Sequence, residues 1–289
     1  MRRKRIPWIR KLSFVLIISG FCFIFHVLQG YEKGKEEYEV LNKEYTMPVT
    51  EAEDDDHRID EYMESRSGEL PETDIGAEDY AAYSMGPAQQ IVAEDPEDVP
   101  GRLSVDFEEL LKINPDVVGW ISVPAVDISY PVLQGSDNDS YLHRDLYGGY
   151  LYAGSIFIDC KNSSDFSDDN TIIYGHNMLD GSMFARLKEF REKSTIDRCR
   201  YIWVLTPGAE YLYEIFSIQF TSPSSNAYVI RFDDQADFEQ WKKEMMQISD
   251  PAVKCGDFDY GRIITLSTCT ETAMYRLVVQ GKLIWQRSL

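Results

Sequence analysis

The apolar residues of this chain fall into two regimes. Residues 12–28 form an almost unbroken apolar block, interrupted only by small polar residues, Cys22 and His26, and a run of this length is about what a helix needs to span a bilayer. From 31 to about 100 the apolar periodicity is lost. It then returns in short pieces. Residues 120–123, 130–133, 155–158, 172–173, 211–215, 216–220, 263–267 and 277–279 are apolar or alternating and rich in Val, Ile, Tyr, Phe and Trp, so they read as β-strands. Turn residues separate most of them at short intervals, which favours a barrel over a parallel sheet. Three stretches have helical spacing. Residues 107–111 predict a short amphipathic helix that stops before Asn114-Pro115, because proline disfavours helix in the residue preceding it. A second short helix is predicted over 183–187, just after His176. Residues 234–248 put Phe238, Trp241 and Met245 three and four apart on one face, a core-packing stripe. The predicted fold class is mainly β with flanking helices, preceded by a transmembrane helix and a disordered acidic linker.

Four segments follow from this pattern: a basic start over 1–11, a membrane anchor over 12–30, an acidic linker over 31–103 and a catalytic domain over 104–289. Arg2, Arg3, Lys4, Arg5, Arg10 and Lys11 precede the apolar block, and positive residues stay on the cytoplasmic side. The expected placement is therefore a single-pass protein of the cell membrane, with its N-terminus inside and its folded part outside. A cleaved signal peptide is the competing reading. The linker includes Glu51, Glu53, Asp54, Asp55 and Asp56; low hydrophobicity with like charge predicts disorder or only transient helix. As a flexible tether of about 70 residues it would span roughly 45 Å. The formal net charge of −20 is concentrated there, and so acidic a chain is a poor match to nucleic acid, whose phosphates call for basic patches.

The candidate chemistry comes from three residues far apart in the chain. Cys269 closes the run Thr265-Leu266-Ser267-Thr268-Cys269, Arg276 follows seven residues later, and His176 lies upstream in Tyr174-Gly175-His176-Asn177. A thiolate is the nucleophile of covalent acyl transfer, but a free thiol near pKa ~8.5 needs a nearby cation to ionise at neutral pH. An imidazolium at His176 supplies that cation and a proton for the departing amine. Arg276 stays charged, and its fork of donors suits a tetrahedral oxyanion. Each of these residues has an ordinary structural reading by itself, and their combination is what points to catalysis. Cys160, Cys199 and Cys255 match no zinc or disulfide framework, although a disulfide between two of them stays open. His143 reads as a surface turn residue, and no metal or cofactor is expected.

These motifs, together with Asn114-Pro115-Asp116-Val117-Val118-Gly119-Trp120-Ile121, resemble a class B sortase over roughly 107–284. The resemblance implies a closed sortase-type β-barrel, a membrane anchor and cysteine transpeptidase activity. Such an enzyme cuts a sorting signal of a secreted surface protein between Thr and Gly, holds the acyl group on cysteine and passes it to an amine of the peptidoglycan precursor. By the same resemblance Asn138 and Leu142 flank the bound peptide, Ser224, Tyr228 and Val229 lie opposite, and Ser267 sits beside the nucleophile. Thr270 and Glu271 after Cys269 depart from some members and leave an acidic substrate contact there in doubt. Two alternatives stay open: a pilus-polymerising enzyme using a pilin lysine as acceptor, and a tethered binding module that has kept the fold without turnover.

Overall fold

The computed structural model of the chain describes residues 7–49, 96, 99–250, 253, 261–269 and 275–289. The first element is a long helix, α1 (Pro7–Tyr45), followed by two short strands that pair antiparallel, β1 (Thr46–Pro48) and β2 (Leu103–Val105). Next comes α2 (Phe107–Ile113). Asp106 caps it by accepting from the Glu109 amide at 3.1 Å, Leu110 is its buried residue, and it stops at Asn114 as the following proline requires.

The body of the molecule is a closed barrel. Its strands are β3 (Val117–Val123), β4 (Ile128–Leu133), β5 (Ile156–Ile158), β6 (Asn170–His176), β7 (Tyr201–Leu205), β8 (Ala209–Thr221), β9 (Ile263–Cys269) and β10 (Arg276–Ser288), in the spatial order β10-β8-β7-β3-β4-β5-β6-β9. Most neighbours are antiparallel, but β4 with β5 and β6 with β9 run parallel. The mainly β class and the barrel agree with the sequence pattern. Two details differ. Residues 211–220 belong to one 13-residue strand, and the helix expected over 183–187 is a 3₁₀ segment, Ala185–Arg191. Closure leaves no edge strand for water or another chain to pair with. Trp120, Trp203, Tyr213 and Phe157 are almost fully buried.

Two further helices lie outside the barrel wall, α3 (Lys193–Arg198) and α4 (Gln235–Gln247). The predicted stripe of α4 is core packing: Phe238, Trp241 and Met245 form a separate cluster with Phe216, Ala227, Ile263 and Val278. Asp234 caps the helix by accepting from the Asp237 amide. Trp241 donates its indole N–H to the Asn226 carbonyl at 2.7 Å, which ties α4 to the turn Asn226–Tyr228.

The largest departure from the sequence reading concerns 31–48, where a flexible tether was expected. This stretch is ordered helix and strand. Tyr31, Gly34, Tyr38, Leu41, Asn42 and Tyr45 recur at helical spacing along the barrel-facing side of α1. Leu41 is fully buried, worth about 1.5–3 kcal/mol. The Tyr38 hydroxyl donates to the Gly154 carbonyl at 2.8 Å, and the Asn42 amide donates to the Ser129 carbonyl at 2.9 Å. Charge patterning in this stretch masked a docking face. Moreover, Thr46 pairs with Val105 and Pro48 with Leu103, so the chain leaves for residue 50 and returns at 99 from adjacent points. The acidic stretch therefore does not separate α1 from the barrel. Residues 50–95, where Glu51 to Asp56 fall, lie outside the described residues. No helix among the described residues is long and apolar enough to cross a membrane.

One carboxylate sits awkwardly in the α1 contact. Glu37 is half-buried, with Oε1 out of water and without a hydrogen-bond partner. Burial, then the nearby charge of Asp145, pushes its carboxyl up to about 7. A folded-state value above the unfolded 4.5 makes its contribution to stability full below pH 4.5 and lost as pH rises through 7. Glu37→Gln should therefore raise the melting temperature more at pH 8 than at pH 5; an equal shift at both would refute the account. Replacing 50–95 by a short Gly-Ser bridge should leave thermal stability unchanged or slightly higher, because a shorter loop costs less closure entropy. Calorimetry of the two chains checks this, and loss of cooperative melting would count against it.

Candidate active site

Three strand ends meet at one rim of the barrel. Parallel pairing of β6 with β9 runs from Asn170↔Ile263 to His176↔Cys269, which makes the candidate base and nucleophile direct register partners. Antiparallel pairing of β9 with β10 runs up to Ser267↔Val278. Two residues further in that register bring Arg276 level with Cys269. Thr268 keeps the hairpin in register beyond the ladder, accepting from the Leu277 amide at 3.0 Å and donating to its carbonyl at 3.3 Å. The backbone positions of His176, Cys269 and Arg276 thus form one row across three adjacent strands.

His176 is half-buried, and its Nε2 lies 2.8 Å from the Leu142 carbonyl. A carbonyl only accepts, so this bond assigns a proton to Nε2. Two glycines make room for the arrangement. A methyl on Gly175 would lie 2.4 Å from Ile156 Cδ1 and 2.7 Å from Phe184 Cγ. Gly154, at φ +59°, has no Cβ to strike the Leu142 carbonyl, which would lie 2.2 Å away.

Below this row a second layer ties strands to loops. Ser267 shares a 2.8 Å hydrogen bond with the Tyr228 hydroxyl, and the Tyr228 ring stacks on Tyr174 at 6.4 Å. Tyr174 donates to Asp159 at 2.9 Å. Burial, then the Asp159 charge, pushes the Tyr174 hydroxyl above the ordinary tyrosine range, while Arg276 pulls it the other way. The guanidinium is therefore close enough to be felt there. Asn138 donates to the same Asp159 oxygen at 2.8 Å and accepts from the Cys160 amide at 2.8 Å. Val229 is set by its carbonyl, which accepts from Asn170 at 2.8 Å.

Of the residues expected to contact a peptide, Ser267, Tyr228, Asn138 and Leu142 converge on the row, Val229 adjoins Tyr228, and Ser224 does not join them. Ser224 is exposed and shares a 3.0 Å hydrogen bond with Ser222 within its own turn. Asn138 already spends one donor and one acceptor on the loop, so it is first a structural tie. Three residues escaped the sequence reading. Tyr174 lies two positions before His176, and strand alternation puts both on one face, a signal that was legible. Asp159 carried no local signal. His143, expected as a surface turn residue, is exposed but stacks on His176 with ring centroids 5.4 Å apart and an interplanar angle of 19°.

Cys160 and Cys199 are free thiols. Burial pushes Cys199 up to about 11, which leaves it a packing residue. Cys255 lies outside the described residues.

A family model described as Sortase domain matches residues 121–284. Sortase B of Listeria monocytogenes is 39% identical over 191 residues, which cover 64% of this chain and 77% of the relative. Sortase B of Staphylococcus aureus is 35% identical over 185 residues, 62% of this chain and 74% of the relative. Among solved structures, a Staphylococcus aureus sortase B crystal structure superposes with a TM-score of 0.57 at 34% identity, covering 62% of this chain and 86% of that one. A Staphylococcus aureus sortase B–substrate complex gives 0.62 at 25% identity, covering 89% and 99%. The chain belongs to the sortase family and is a class B sortase-like cysteine transpeptidase. The reaction class that accompanies membership is transpeptidation that anchors surface proteins.

Because Gly175 immediately precedes His176, Gly175→Ala should push β6 off its neighbours. The expected losses are about 1–3 kcal/mol of stability from overpacking and on the order of 100-fold in kcat/KM from displaced geometry. Thermal melts and peptide turnover check both, and wild-type values for the pair would show that the pocket yields freely.

Proposed function

We propose that this protein is a membrane-anchored transpeptidase that cleaves a C-terminal sorting motif between Thr and Gly and transfers the product to an amine of the cell wall precursor. The observation that carries the reading is the row His176, Cys269, Arg276 on adjacent strands. In the first half-reaction the Cys269 thiolate attacks the threonine carbonyl carbon, and the negative charge that develops on its oxygen is met by the Arg276 guanidinium. Collapse breaks the Thr–Gly bond as His176 protonates the leaving amine, which leaves a thioester on Cys269. In the second half-reaction an incoming amine gives its proton to His176, attacks the thioester and restores the thiolate. Nε2 of His176 is held 2.8 Å from the Leu142 carbonyl, which keeps the ring at the groove.

Peptide binding in the groove is supported by the Staphylococcus aureus relative, solved as a substrate complex. Asn138, Leu142, Tyr228, Val229 and Ser267 are the residues we assign to that contact, with Ser224 at its periphery. The membrane reading rests on the basic start followed by apolar 12–28, and on exposed Leu16, Ile17, Phe21 and Ile24 along α1, side chains that water would penalise. On this reading the catalytic domain is extracellular. Docking from Tyr31 onward then holds the barrel within roughly 10 Å of the outer end of the span, since a helix rises about 1.5 Å per residue.

The test is incubation of the detergent-solubilised full-length chain with a library of peptides containing Thr-Gly, followed by mass spectrometry of the adduct on Cys269. Cys269→Ala should abolish both the adduct and cleavage; substantial residual turnover would refute the assignment. Arg276→Lys keeps the charge but loses the planar fork, and kcat should fall by on the order of 100-fold with the adduct still detectable.

A further inference from the structure

One buried carboxylate ties the loop wall of the groove to its floor. Asp159 follows the end of β5, and Oδ2 accepts both from the Tyr174 hydroxyl at 2.9 Å and from the Asn138 amide at 2.8 Å, while Oδ1 accepts from the Lys161 backbone amide at 2.9 Å. The carboxylate cannot move far. Its own backbone amide donates to the Ile172 carbonyl at 2.9 Å, and its carbonyl accepts from the Asn162 amide at 2.9 Å and from Gln134 at 3.2 Å. Tyr174, the other donor to Oδ2, is the rung partner of Ser267 and stacks on Tyr228, so Asp159 is joined to both sides of the groove.

These bonds decide which way the Asn138 side chain faces. Its oxygen accepts from the Cys160 backbone amide at 2.8 Å and its nitrogen donates to Asp159. A backbone N–H only donates and a carboxylate only accepts, so turning the amide over would set donor against donor at Cys160 and acceptor against acceptor at Asp159. Its orientation is therefore fixed from both ends. A primary amide has two N–H groups and one oxygen, and with the oxygen and one N–H taken, the group that half-buried Asn138 has left for a ligand is its second N–H.

We propose that Asp159 is a specificity-determining residue: by fixing the Asn138 amide it makes this wall of the groove a hydrogen-bond donor, so the peptide must present an acceptor, a carbonyl oxygen, where it meets Asn138. A peptide that presents a donor there is rejected. The proposal rests on the assignment of the groove to peptide binding and deepens it, because Asp159 sets the chemistry of the contact without touching the substrate.

The test compares Asp159→Asn with the reciprocal double variant Asn138→Asp, Asp159→Asn in the full-length, detergent-solubilised chain, using the Thr-Gly peptide that the wild type cleaves fastest. Asp159→Asn alone sets one donor against another, at Asn138 or at the Lys161 amide, whichever way the new amide lies, and should lower the melting temperature. The double variant restores the pairing. The amide at 159 donates to the carboxylate at 138, which still accepts from the Cys160 amide, and its oxygen accepts from the Lys161 amide while the Tyr174 hydroxyl turns to accept. Only the group offered to the peptide changes, from N–H to carboxylate oxygen. The double variant should therefore recover the melting temperature and the wild-type rate of iodoacetamide alkylation at Cys269, yet keep a KM raised roughly three- to tenfold, the worth of one hydrogen bond, by more than any fall in kcat. Recovery of KM together with stability would make Asp159 a brace and overturn the proposal, as would an undiminished melting temperature in Asp159→Asn or its failure to recover in the double variant. A wild type that cleaves no peptide of the library and is not alkylated at Cys269 would instead sink the catalytic assignment.

Discussion

The parallel pairing of β6 with β9 is the constraint on which the site depends. Residues 170–176 and 263–269 are separated by almost ninety positions of chain, yet seven consecutive rungs hold them side by side. Parallel neighbours need a long crossover, and here it contains β7, β8 and α4, that is, two of the eight barrel strands and a helix packed outside them. A slip by one residue would exchange the face that carries Ile173 and Leu266 with the face that carries the Asn170–Thr265 hydrogen bond and the Tyr174↔Ser267 pair. Core packing therefore fixes the row of His176 and Cys269.

A buried polar ladder reinforces that register. Gln219 donates to Gln280 at 3.2 Å, Gln280 to Thr265 at 3.1 Å, and Thr265 to Asn170 at 2.7 Å, which crosses β8, β10, β9 and β6 in turn. Asn170 then reaches the Ala227 and Val229 carbonyls on the loop that carries Tyr228. Buried polar groups are costly unless satisfied, so the ladder specifies one alignment of four strands and one seat for the loop. Tyr228 arrives over Tyr174 and Ser267 because of it.

Helix α1 changes how the chain is organised. Its docked face makes the N-terminal segment part of the same body as the barrel, and β1 with β2 closes the acidic stretch into an excursion whose ends meet. The orientation of the groove is therefore coupled to the direction of α1 rather than averaged by a tether. A series of neighbouring rings, Tyr31, Tyr152, His143 and His176, runs through this same contact.

Much of this was legible in the residue pattern. Alternation located β3, β4, β5, β9 and the start of β10, helical spacing located α2 and α4, and the residue types Cys269, His176 and Arg276 defined the chemistry, because alternation is local in sequence and the functional groups are given by residue type. The α1 docking face was not legible, since Tyr31, Tyr38 and Leu41 are diluted among Glu and Lys and become a stripe only against the barrel. His143 looked like any polar residue in a turn, and Asp159 like any loop carboxylate; their roles arise from rings and donors supplied by distant segments. By itself, the amino-acid sequence determined which elements form and which functional groups are present. Only the tertiary structure decided which of them share a rung, a stack or a buried hydrogen bond, because those distances are set by closure of the barrel and not by spacing along the chain.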